Sequence, residues 1–178
     1  MAFIIEQLME KILDILFQIF SQLFNQITRE SKEHDSRIFH ESNDILTERK
    51  VRDTLDELLH SRSIQDDDFY RLTKWLHFFE EAGNQYLIKS MKNRHSNFRT
   101  ELDRLTDFIA DNFFDKRNQD RQDQRHYLYP ELRYYADRGD SESAINYAGS
   151  AKQLDGLTRK TREEYSRYRY AIKRALKV

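Results

Sequence analysis

Six histidines are the groups in this 178-residue chain best suited to move a proton near neutral pH. Two of them follow an arginine at the same interval, Arg29…His34 and Arg121…His126, and Arg71…His77 is one residue longer. An imidazole beside a guanidinium could cleave RNA in line. The ring would take the 2′-hydroxyl proton while the cation held the phosphate. The arginine and histidine content of the chain yields about two such spacings by chance, so the interval alone assigns no catalytic residue. Arg121 and His126 are the stronger pair because they fall in a basic, polar stretch.

A second constellation joins histidine to carboxylates. Di-metal helical bundles use a Glu-x-x-His on each of two helices plus two further Glu. Glu57-x-x-His60 fits, Asp123-x-x-His126 fits less well, and Glu30, His34 and Glu41 share one helical face. The set is incomplete, so no metal is expected. The absence of Cys removes thiolate zinc sites, iron–sulfur clusters and thiol nucleophiles. Gly83, Gly139, Gly149 and Gly156 are too far apart for a phosphate-binding loop. No cofactor and no small-molecule substrate is expected.

The third constellation is the basic, aromatic end. Arg159, Arg162, Arg167, Arg169, Lys173 and Arg174 could contact a polyanion, with Tyr170 exposed beside them. Tyr165, Tyr168, Ile172 and Leu176 fall on one helical face and are expected in the core. Charge is unevenly spread: residues 28–70 carry seven basic and twelve acidic side chains, residues 116–178 fifteen and nine. The whole-chain net charge of −1 nevertheless argues against a dedicated nucleic-acid protein.

The elements that must position these groups are helical. Strict alternation is absent, and apolar residues recur at three and four. The expected fold is all-α: a single domain over residues 1–178, a bundle of about five helices with an extended amphipathic association helix at 3–27 and the helical bundle at 28–178. An exposed loop is expected near 116–130, where Asp115 to His126 includes no apolar residue. Asp66-Asp67-Asp68 suits a helix N-terminus, and Asp140-Ser141 opens the last helical region.

The first helix has an apolar sector wider than one packing seam requires. Ile5, Leu8, Ile12, Leu16, Ile19, Leu23 and Phe24 are its candidate interface residues. Its polar side carries one Lys against Glu6, Glu10 and Asp14. That balance disfavours a membrane-surface helix, which needs a cationic face. A homo-oligomer or a partner protein docked on residues 3–27 fits better. The charges also interrupt the apolar run that a signal peptide or membrane span needs, so the expected compartment is the cytoplasm.

Two resemblances accompany this reading. The Arg-x4-His spacing is similar to that of helical ribonucleases of the HEPN type, which the chain also resembles in size and class. This likeness implies a metal-independent ribonuclease using Arg121 and His126, or Arg29 and His34. The strings His34-Asp35…Ile38-Phe39, Phe78-Phe79-Glu80…Gly83-Asn84-Gln85-Tyr86-Leu87 and Tyr168-Arg169…Ile172-Lys173 resemble small all-helical bacterial proteins of uncharacterised function. The expected function is a non-enzymatic interaction or oligomerisation module, an accessory or adaptor subunit. The alternatives are the ribonuclease and a nucleic-acid-binding subunit using the basic C-terminal helix.

Overall fold

The computed structural model describes residues 2–116 and 124–177, with side chains described for residue 9 and from residue 11 onward. Among the described residues there are six α-helices: α1 (Ala2–Ile45), α2 (Glu48–His60), α3 (Asp66–Phe78), α4 (Lys89–Asn112), α5 (Pro130–Ala136) and α6 (Ser141–Leu176). A small antiparallel sheet joins β1 (Ser63–Gln65), β3 (Arg125–Leu128) and β2 (Phe113–Phe114), in that order across the sheet.

The fold is predominantly all-α, as expected. The sheet differs from the reading of the sequence. Its strands are two to four residues long, too short for a period of two to show. They form where the expected loop meets the body: Phe113 pairs with Leu128, and Ser63 with Tyr127. Residues 117–123, in the middle of that loop, lie outside the described residues, and Arg121 and Asp123 with them.

Caps explain several boundaries. Thr47 accepts the N–H of Lys50 at 3.2 Å and opens α2. Asp140 accepts the N–H of Ser143 at 3.0 Å and opens α6. Three aspartates fill the first turn of α3, where they meet the positive end of the helix. Gly149 and Gly156 do not interrupt α6, and His95-Ser96-Asn97 does not interrupt α4.

α4 and α6 form the main helix pair, with α2, α3 and α5 laid around it. Their core is strongly aromatic. Trp75, Phe79, Tyr86, His95, Phe98 and Tyr168 surround one another with ring centroids 4.0–6.2 Å apart. Most of these contacts are tilted or edge-on and one, Phe98 on Tyr168, is stacked at 5.6 Å, arrangements that ring quadrupoles favour over a direct face-to-face sandwich. The Tyr86 and Tyr168 hydroxyls satisfy each other at 2.7 Å.

Candidate functional site

α1 divides into a root and a rod. Its second half is bound into the body: Ile38 and Phe39 are buried in the core, and Ser42 closes on the carbonyl of Phe39 at 3.0 Å. Asp35 is fully buried. Its carboxylate oxygens accept the backbone N–H groups of Leu87 at 2.8 Å and Ile88 at 2.9 Å, just before α4 begins. His34 Nε2 meets the carbonyl of Gln85 at 3.1 Å. Two adjacent side chains thus latch the helix to the 85–88 segment.

The first half has no such partners among the described residues. Every described side chain from Met9 to Glu30 is exposed. Eleven of them are large and apolar, from Met9 to Ile27, with exposures from 45% at Leu16 to 76% at Phe17. At 100° per residue they span an arc of about 200°, from Ile15 round to Phe17. Lys11, Asp14, Gln18, Ser21, Gln22 and Asn25 occupy the remainder. At 1.5 Å per residue, the rod reaches roughly 40 Å from its root.

The rod has a heptad order. Met9, Leu16 and Leu23 fall at one core position (a), and Ile12 and Ile19 at the other (d), with Gln26 ending the seam. Leu13, Phe20 and Ile27 follow the d positions, Ile15 precedes an a position, and Phe17 and Phe24 follow a positions. Ile5 and Leu8 continue the pattern in sequence, but their side chains lie outside the described residues. Among the described residues no helix is long and apolar enough to cross a membrane.

No protein-family model matches the chain, and comparison with curated proteins and with solved structures yields no match either. The site must therefore be read from its own geometry.

The Arg/His pairs are engaged in ways that local packing explains. Arg29 binds Glu33 at 2.8 Å on the exposed rod, while His34 turns to Gln85. Arg71 binds Asp67 at 2.8 Å. His126 lies on β3 between two carboxylates: Nδ1 is 2.9 Å from Asp115, and Nε2 contacts Asp66. Both of its ring nitrogens are occupied. Glu57 binds Arg125 and His60 meets the carbonyl of Asp56, so neither faces a common centre. Among the described residues no group of three potential ligands could hold a metal ion.

The basic residues of α6 part company. Arg169 turns inward, binding Glu48 at 2.8 Å and stacking over Phe39 at 4.8 Å. Arg162 binds Asp56. These two fasten α6 to α2. Arg167 contacts Glu164, while Arg159, Lys173 and Arg174 are exposed. Tyr165, Tyr168 and Ile172 are buried and Tyr170 is exposed, in line with the helical periodicity.

Two residues with marked surroundings carried no signal in the sequence. Asp35 reads as one polar residue among many until the fold brings Leu87 to it. His95 is 3% exposed, with its Nε2 unpartnered. Burial, and to a lesser degree the charge of Arg99, pushes its pKa down to about 3.

Proposed function

We propose that this protein is a non-enzymatic self-associating module in which the rod of α1 packs against the rods of other copies and gathers their helical bodies. The reading rests on one observation: eleven large apolar side chains stand exposed on a helix whose other half is fixed in the body. In proteins most of the stability of an amphipathic helix comes from packing of its apolar face rather than from propensity. Packing along its apolar face supplies what propensity does not.

Magnitudes favour more than two helices. Met9, Leu16, Leu23, Ile12 and Ile19 are already about half covered. Completing their burial contributes about 1 kcal/mol each, or roughly 5 kcal/mol together. Association costs on the order of 4–15 kcal/mol, so a two-stranded seam is poorly supported. Leu13, Ile15, Phe17, Phe20, Phe24 and Ile27 widen the face and roughly double the gain. Leu at a with Ile at d shifts coiled coils from two strands toward three or four. A four-rod bundle accommodates both features.

Light scattering on the full chain tests the proposal. It predicts a multi-chain species that falls to a single chain in a Leu16→Gln, Ile19→Gln, Leu23→Gln variant with a body of unchanged helicity. A full chain that is monomeric at micromolar concentration refutes it.

A further inference from the structure

A groove of about 1480 Å³ runs where α1 leaves the body, between α1, α4 and α6. Small-molecule sites occupy roughly 300–1,000 Å³ and close around their ligand. This one is larger and open, and is shaped for a segment of a chain. Its lining includes Lys32 from α1, Arg94 from α4, and Arg167 and Arg174 from α6, and no acidic residue. Arg167 is held by Glu164, with Glu163 at 3.9 Å. Lys32, Arg94 and Arg174 have no ion pair among the described residues. Arg29, Arg37, Arg71, Arg162 and Arg169 meet carboxylates, while other exposed cations, Arg159 and Lys173 among them, also lack an ion pair among the described residues; the groove is set apart because its cations gather where no acidic side chain lines the wall. Three uncompensated cations, 62 and 80 residues apart in sequence, are brought to one groove by three different helices.

The groove also offers a flat apolar surface. Tyr170 is 67% exposed, makes no ring contact among the described residues, and lies one turn from both Arg167 and Arg174. Leu87, also exposed, lines the same groove. Cations that track a phosphate backbone, with an aromatic ring on which a base can stack, are the two components of non-specific single-strand recognition. An acidic peptide would use the cations and leave the ring idle.

We infer that this groove binds single-stranded nucleic acid, with Lys32, Arg94 and Arg174 on the phosphates and Tyr170 against a base. The site differs from the C-terminal basic face as the sequence presents it, since Arg162 and Arg169 are committed to α2 and, of the three groove cations without an ion pair among the described residues, Lys32 and Arg94 lie outside α6. It borders the rod at Ile27, but none of the a and d residues of the rod's seam lines it.

The test uses the full chain with a fluorescein-labelled twelve-residue oligothymidylate and, beside it, a twelve-residue polyglutamate peptide. Three phosphate contacts to a single strand predict a log–log salt dependence of slope about −2. The Lys32→Gln, Arg94→Gln, Arg174→Gln variant, checked for unchanged helicity, should bind at least tenfold more weakly and with a slope near zero. Tyr170→Leu should weaken oligonucleotide binding about tenfold and leave the slope and the peptide unaffected. No oligonucleotide binding at about 50 mM salt, unchanged binding by the triple variant, or peptide binding as tight as the oligonucleotide's would each overturn the inference.

Discussion

Asp35 reaches out of α1 to accept the backbone N–H of Leu87 at 2.8 Å, across more than fifty residues of chain. The same carboxylate takes the N–H of Ile88 at 2.9 Å, so one side chain satisfies two donors at the start of α4. The contact fixes the root from which the rod projects. It also explains why α1 is ordered by the body at one end and left bare at the other.

The latch can be weighed by removing it. Asp35→Ala takes the shared acceptor from the part-buried N–H groups of Leu87 and Ile88, just ahead of α4, and empties a fully buried position. The account predicts a loss of about 2–4 kcal/mol, seen as a urea midpoint lowered by roughly 1–2 M. Asp35→Asn retains one acceptor and turns an amide donor toward a donor, so it should recover little. Stability equal to the wild type in both variants would show that water replaces the carboxylate.

His95 makes stability depend on acid. In the folded protein burial holds its pKa at about 3, whereas an unfolded histidine titrates near 6.5. The unfolded chain therefore takes up a proton that the folded core refuses. The neutral ring's contribution is complete above about pH 6.5 and declines as the pH falls toward 3. The total is on the order of 5 kcal/mol, and about 2 kcal/mol of it is gone by pH 5. Urea unfolding of wild type and His95→Leu at pH 7 and pH 5 should show the difference between the two proteins moving by about 2 kcal/mol in favour of the variant. A difference that does not change with pH would mean that the ring protonates freely in the folded state.

Arg169 illustrates how a basic residue can be structural. Its guanidinium binds Glu48 and Asn43 and lies over the Phe39 ring. Arg169→Lys keeps the charge but loses the planar fork and the stacking, and is predicted to cost about 1–2 kcal/mol in chemical denaturation. It should leave oligonucleotide affinity within twofold of wild type. A large loss of affinity with intact stability would place Arg169 in the binding surface instead.

The legibility of the chain follows from physics. Ile12, Leu16, Ile19 and Leu23 recur at helical spacing, so the apolar rod was visible in sequence. So were the buried face of Tyr165, Tyr168 and Ile172 and the cap at Asp140, because each depends on neighbours within one or two helical turns. The sheet was not, since Ile64 pairs with His126 by backbone bonds that leave no mark in strands this short. The groove was not either: Lys32, Arg94 and Arg174 acquire meaning only when three helices converge. The commitment of Arg162 and Arg169 to Asp56 and Glu48 is likewise a property of how α6 lies on α2.

The central claim concerns the exposed rod, and the mass of the full chain in solution bears on it most directly. Sedimentation equilibrium over a hundredfold range of concentration should give the mass of four chains at the upper end, with dissociation on dilution and none of the assembly left once Leu16, Ile19 and Leu23 are replaced by Gln. The mass of one chain throughout, with the wild-type rod in place, would contradict the account.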